Sequence, residues 1–97
     1  MDGEVVIMPT MIDQPISVAV APDGEPRSFM WGPYEYEVVG VPQAFFRRRK
    51  WWREAGDLAR IDQELWRVEA SCDSAEFRLY DLLRRPDGGW ALYVQWE

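Results

Sequence analysis

The segment Phe45–Arg53 contains the residue types best suited to chemistry with a partner. It reads FFRRRKWWR and carries five positive charges, although the whole chain has a net charge of −6. Cations pair with phosphates or carboxylates, and flat rings stack on bases or fill apolar pockets. The candidate partner-binding residues are Phe45, Phe46, Arg47, Arg48, Arg49, Lys50, Trp51, Trp52 and Arg53.

This basic aromatic segment has three interpretations. Cations beside flat rings are what single-stranded nucleic acid requires. Trp and Arg also dominate the energetics of protein interfaces. In a purely structural interpretation, Trp51 or Trp52 covers an open end of the sheet while the arginines pair with the domain's own acids. The rest of the chain has a net charge of −11, which repels phosphate and suits an electrostatically steered protein contact. We therefore expect a protein partner, with weak single-stranded nucleic-acid binding as the alternative.

Few residues remain for catalysis. The chain has no His and a single Cys, Cys72, which excludes a His-containing triad, a Cys–His pair and an imidazole metal site. The single Lys does not lie in a phosphate-binding loop. The remaining groupings are Glu35 with Glu37 and Glu64 with Glu69, and alternating glutamates on a strand usually form a solvated face. The sequence predicts a protein that is not an enzyme and binds no cofactor or metal.

The cysteine content and the N-terminus favour a cytoplasmic location. One Cys cannot form an intramolecular disulfide, and the opening MDGEVVIMPT does not have the pattern of a signal peptide. No apolar run approaches the roughly 20 residues that span a bilayer, so no membrane contact is expected. The spare aromatics and the final strand leave homodimerisation open.

Alternating apolar and polar residues predict antiparallel strands along most of the chain. The expected strands are the two of a first hairpin over residues 16–32, with Phe29 and Trp31 on its return strand, then Tyr34–Val41, Trp66–Ser71, Glu76–Arg84 and Trp90–Trp96. The sequences APDGEP and PDGG between strands provide the turn residues of hairpins. In the last strand, Trp90, Leu92, Val94 and Trp96 are expected to share one face.

Residues 42–64 break this alternation. Asp57 could cap a helix, because Leu58, Ile61 and Leu65 follow it at helical spacing. A structureless loop of this length is uncommon in a compact domain. The sequence therefore predicts a short helical or irregular excursion here.

The expected fold is all-β: a small, highly curved antiparallel sheet or open barrel of six to seven strands. Residues 1–14 are predicted to form an N-terminal tail or edge strand, and residues 15–97 a single antiparallel β domain. Fourteen aromatic residues exceed what one sheet face can bury, so some should line a second face, a groove or a partner surface.

Four stretches, PISVAVAPDGEPRSFMWGPYEYEV, WRVEA, FRLYD and GGWALYVQWE, together resemble a family of small uncharacterised β domains from high-GC, especially actinobacterial, genomes. The resemblance covers residues 15–97 through short motifs. Domains of this family are encoded near components of the error-prone DNA-damage-tolerance machinery (the mutasome), which includes an inactive polymerase-like adaptor. The resemblance implies an accessory role in translesion synthesis through protein contacts, and it implies no catalytic residue.

Overall fold

A computed structural model shows a closed antiparallel barrel, described over residues 9–52 and 58–96, with only the backbone described at 48–52 and 58–62. Each strand pairs with the next along the chain, and the last strand returns to pair with the first. No helix occurs among these residues. The strands are β1 (Pro9–Val20), β2 (Pro26–Trp31), β3 (Tyr34–Trp52), β4 (Leu58–Ser71), β5 (Arg78–Arg84) and β6 (Trp90–Trp96).

The pairing of β1 with β6 closes the barrel, so the prediction of an open barrel or sheet was wrong. The register runs from Pro9 opposite Trp96 to Ile16 opposite Trp90. A shift between Met11 and Gln14 interrupts it, and irregularities of this kind let a strand bend. Closure involves a stretch of β1 that begins at Pro9. The apolar run at residues 5–8 lies outside the described residues.

The predicted helical or irregular excursion at 42–64 was also wrong within the described residues. There β3 continues to Trp52 and β4 starts at Leu58, and the two strands pair in unbroken register from Gln43 opposite Arg67 outwards. A register shift between Val39 and Gln43 explains why the alternation of the sequence stops there. The two strands satisfy each other's backbone groups, so the helical spacing of a few apolar residues does not decide the structure. Asp57 lies outside the described residues.

The two x-Pro-Asp-Gly-x segments form the hairpin turns that the sequence predicts. In the first, the Ala21 amide donates to the Glu25 carbonyl at 2.8 Å and Gly24 has a φ of 91°. In the second, the Arg85 amide donates to the Gly89 carbonyl at 2.7 Å and Gly88 has a φ of 90°. Glycine adopts this left-handed conformation without the steric cost that a Cβ would impose.

The barrel interior is filled by large side chains from β2 to β6. Phe29 is 1% exposed, and its ring stacks on Tyr36 with centroids 4.9 Å apart. Tyr80 meets both rings edge-on at 5.5 and 5.7 Å. Offset stacks and edge-to-face pairs are the favoured arrangements of aromatic rings. The fully buried members of this cluster are Phe29, Val68, Ala70, Tyr80, Leu82, Trp90 and Leu92.

A second apolar cluster lies on the opposite face of the strands that line this core. It consists of Leu65, Leu83, Ala91, Tyr93 and Val94, with Phe45 and Trp96 packed against it. The expected alternation of β6 fails because Leu92 pairs with Leu82 and Val94 with Asp81, which leaves Tyr93 as an extra residue. Trp90 and Leu92 therefore join the interior, whereas Val94 and Trp96 join the outer cluster.

We predict that Phe29→Ala lowers the free energy of unfolding by about 3–5 kcal/mol, because it leaves a cavity beside the rings of Tyr36 and Tyr80. Met30, the next residue, is 41% exposed, and Met30→Ala should change it by less than about 0.5 kcal/mol. Urea denaturation of the two variants beside the wild type measures both values. Equal losses would mean that Phe29 does not anchor the interior.

Candidate functional site

The far end of the β3–β4 hairpin contains the basic aromatic segment. The pairing of β4 with β5 begins at Glu64, which lies opposite Arg84. From Glu64 towards the tip of the hairpin, β4 pairs with β3, from Gln63 opposite Arg47 to Leu58 opposite Trp52. Among the described residues, this part of the hairpin has no third strand beside it. The candidate segment therefore lies on a two-stranded extension of the barrel.

The structure separates the described side chains of the candidate segment. Phe45 is half-buried against the outer cluster, whereas Phe46 is 70% exposed. Arg47 is exposed, and its guanidinium carbon lies 5.9 Å from the centroid of the Tyr93 ring. For Arg48, Arg49, Lys50, Trp51 and Trp52 the structure gives the backbone position on β3, and Arg53 lies outside the described residues.

A groove of about 300 Å³ adjoins Phe45 and Arg47 on the outer face of the sheet. Five strands contribute to it, because β1 and β3 flank the outer faces of β4, β5 and β6. Its walls combine apolar and aromatic groups with two arginines and one aspartate. The lining residues are Pro9, Met11, Phe45, Arg47, Leu65, Arg67, Asp81, Tyr93, Val94 and Trp96.

An ion pair between Arg67 and Asp81 lies in the wall of this groove. The two residues are direct partners across β4 and β5, and the guanidinium donates to both carboxylate oxygens at 2.9 and 3.1 Å. The guanidinium also lies 5.1 Å from the ring centroid of Phe45 and 4.9 Å from that of Trp96. The hydrogen bond to Asp81 raises the pKa of Arg67 above its ordinary value. The bidentate pair fixes the arginine between two rings.

Among the described residues, two buried polar atoms near the groove have no hydrogen-bond partner: Nε1 of Trp96 and Oε1 of Gln63. Trp96 lines the groove, and Gln63 shares its face with Arg47 because direct partners across antiparallel strands point the same way. Unpaired buried polar groups carry a desolvation cost of about 1–3 kcal/mol each. Such atoms are uncommon in a settled core, and they distinguish this face from the barrel interior.

Sequence reasoning missed the other polar and aromatic residues of the groove, which are Arg67, Asp81, Tyr93 and Trp96. One signal was available, because Asp81 is a lone acid between Tyr80 and the apolar pair that follows it. An acid in such a strand needs a cation opposite, and the register supplies Arg67. The register and the bulge at Tyr93 could not be read from the sequence.

A second concavity, of about 210 Å³, opens at the end of the barrel near the β4–β5 loop. Its chemistry is mixed, since Arg78, Asp73 and Glu76 line it together with two tyrosines. Burial raises the pKa of Tyr80 to about 12. Its lining residues are Trp31, Tyr36, Cys72, Asp73, Glu76, Arg78, Tyr80 and Gln95.

The remaining acids do not assemble into a metal centre in the part of the chain that the structure describes. No three His, Cys, Asp or Glu side chains lie together there in a way that could hold an ion. Glu64 accepts a hydrogen bond from Nε1 of Trp66 at 2.6 Å. Within the same residues, no helix is long and apolar enough to cross a membrane.

The chain is thus a small all-β domain whose closed barrel has an arginine–aromatic groove on its outer face. It belongs to the family "Domain of unknown function (DUF6504)", whose profile matches residues 3–97. This agrees with the resemblance to a family of small β domains. No curated protein and no solved structure matches the chain.

We predict that Arg67→Met lowers the free energy of unfolding by about 1–3 kcal/mol, because the buried Asp81 carboxylate loses its partner. The double variant Arg67→Met/Asp81→Leu should recover part of this loss, since no unpaired charge remains. Chemical denaturation of the single and double variants gives the coupling.

Arg78→Met is the control for this cycle, because the ion pair of Arg78 with Glu76 at 3.7 Å is exposed. Its effect should stay below about 1 kcal/mol. If Arg67→Met has no larger effect than this control, the ion pair does not stabilise the groove.

We predict that Tyr80 makes stability fall in alkali. Its pKa of about 12 lies above the ordinary value of 10.0, so its contribution is complete below pH 10 and is lost as pH rises through 12. The full shift is worth on the order of 2–3 kcal/mol. Denaturation between pH 9 and about 12 should show a shallower decline for Tyr80→Phe than for the wild type. Parallel declines would mean that Tyr80 ionises as readily in the folded chain as in the unfolded one.

Proposed function

We propose that this domain is a non-enzymatic protein-interaction module that contacts a protein partner through the basic aromatic segment 45–53. The observation that carries the proposal is the position of the segment on the two-stranded extension of the barrel. A surface there is accessible from several sides. It also has exposed apolar area, since Phe46 is 70% exposed.

The distribution of charge supports a protein rather than a polyanion as partner. Five positive charges lie in nine residues, and the rest of the chain has a net charge of −11. A phosphate backbone that approached the segment would also meet this negative field. A compact acidic patch on a protein contacts the segment alone, and it is steered there by the field.

The resemblance adds a biological setting to the proposal. It implies that domains of this kind are accessory proteins of bacterial DNA-damage tolerance. The mutasome includes an inactive polymerase-like adaptor. An acidic domain is better suited to contact a protein of this machinery than to bind its DNA. The inactive polymerase-like adaptor of the mutasome is therefore the first partner to test.

Weak binding of single-stranded nucleic acid is the second candidate function. One observation favours it: Arg47 lies beside the Tyr93 ring at the groove, so a cation and a flat ring are adjacent. Bases stack on such rings while cations hold the backbone. The same segment would serve both functions, so one experiment must separate them.

We predict that the triple variant Arg47→Ala/Arg48→Ala/Arg49→Ala weakens binding to the purified adaptor at least about tenfold while leaving stability almost unchanged. Biolayer interferometry measures the binding, and urea denaturation measures the stability. The matched control is Arg27→Ala/Arg78→Ala/Arg85→Ala, which removes the same charge from exposed arginines outside the segment.

Anisotropy of a labelled single-stranded oligonucleotide, at low and moderate salt, completes this test. Binding that falls steeply with salt and disappears only in the segment variant would support the nucleic-acid function instead. Equal loss of adaptor binding in both triple variants would show that net charge matters and the segment does not. A large loss of stability in the segment variant would mean that the arginines are structural.

A further inference from the structure

One edge of β3 has no neighbouring strand along most of its length. The short strand β2 pairs with β3 only from Tyr34 to Glu37. From Val38 to Trp52, β3 pairs with β4 on one side, and no strand among residues 9–52 and 58–96 pairs with its other side. Along such an edge, alternate backbone N–H and C=O groups point outwards without a partner, and they can template another strand.

The short strand β2 also leaves part of the β1 edge uncovered, but this edge differs in sequence and backbone geometry from the edge of β3. Over residues 9–16, β6 is the one strand among the described residues that pairs with β1, and this stretch of β1 carries Pro9, Pro15 and a register shift. Asp13 in this stretch has a φ of 51°, which is outside the range of an extended strand. Prolines and bulges are the usual means of preventing an edge from pairing with another chain. The β1 edge is therefore protected.

The β3 edge lacks this protection beyond Pro42. Gly40, with a φ of 70°, and Pro42 lie inside the register shift that ends at Gln43. From Gln43 to Trp52 the strand contains no proline, and its register with β4 is unbroken. Ten regular residues are long enough to hold an added strand, since ordinary strands have about 5–6.

Charge decides between a second copy of this chain and a different partner. Four consecutive cations, Arg47 to Lys50, occupy the middle of the open edge. Antiparallel pairing with a second copy, centred on the segment, would place these cations opposite one another, and like charges across a strand pair are destabilising. An acidic strand would instead meet them with complementary charge. Glutamate alternating with β-branched residues is compatible with an extended backbone.

We propose that the edge of β3 from Gln43 to Trp52 accepts an extended acidic segment of a protein partner as an added β-strand. This inference rests on the proposed function and specifies the chemistry and geometry of the contact. Main-chain hydrogen bonds to the open edge supply affinity in strand addition, and alternate side chains supply specificity. On one side of the edge lie Phe45 and Arg47 at the groove, and on the other lies the exposed ring of Phe46.

The experiment uses the full chain, labelled with ¹⁵N, and a synthetic probe. The probe is an acetylated, amidated decapeptide in which glutamate alternates with threonine or valine. One control peptide carries N-methyl groups on alternate amides, which removes donors but keeps every charge. A second control has lysine in place of each glutamate. Titration followed by NMR gives affinity, and amide hydrogen exchange reports individual residues of β3.

We expect alternate amides between Gln43 and Trp52 to exchange fast in the free protein and at least about tenfold more slowly with the acidic peptide. The N-methylated peptide should bind at least about tenfold more weakly, because each methyl group removes a main-chain hydrogen bond to the open edge. The lysine peptide should not bind.

Several outcomes would overturn the inference. Equal binding of the N-methylated peptide, with edge amides still fast, would show recognition of charge without strand addition and would leave the proposed protein contact intact. No binding of the acidic peptide, or equal binding of the lysine peptide, would also reject an acidic strand. Protection that rises with protein concentration in the absence of peptide would assign the edge to a second copy. Peptide protection together with failure of the adaptor test would instead reject only that partner.

Discussion

Strands β4, β5 and β6 bury side chains on both faces, and the rest of the structure depends on this constraint. Val68, Leu82 and Leu92 fill the barrel, while Leu65 and Ala91 lie on the outer cluster with at most 1% exposure. A sheet that buries side chains on one face leaves its other face in contact with solvent. Here the neighbouring strands must cover two faces, so β1 and β3 border a groove as well as completing the barrel.

The outer face admits charge only under strict conditions. Asp81 is 4% exposed, and a buried carboxylate is tolerable only when a cation and its hydrogen bonds compensate for lost water. Arg67 meets that condition with two hydrogen bonds, and the flanking rings of Phe45 and Trp96 hold its plane. The pair therefore gives the groove a wall of fixed shape and charge, which a partner would have to match.

The unequal lengths of the strands link this architecture to recognition. Because β2 has 6 residues and β3 has 19, closing the barrel leaves most of β3 with one neighbour. Four consecutive cations, Arg47 to Lys50, lie on that open edge, although the chain as a whole is acidic. Backbone groups without partners and a concentrated positive charge thus lie together, which is the combination that an acidic extended segment would complement.

The sequence by itself determined the all-β class, the two Pro-Asp-Gly turns, the strand Trp90–Trp96 and the isolation of positive charge in residues 45–53. These features are local, because turn chemistry, alternation and charge act between residues close in the chain. Only the tertiary structure decided the closure by β1 and β6, the extended hairpin in place of a helix, and the bulge at Tyr93. It also brought Arg67 to Asp81. These depend on register between distant strands, and a shift of one residue would exchange the two faces of every strand.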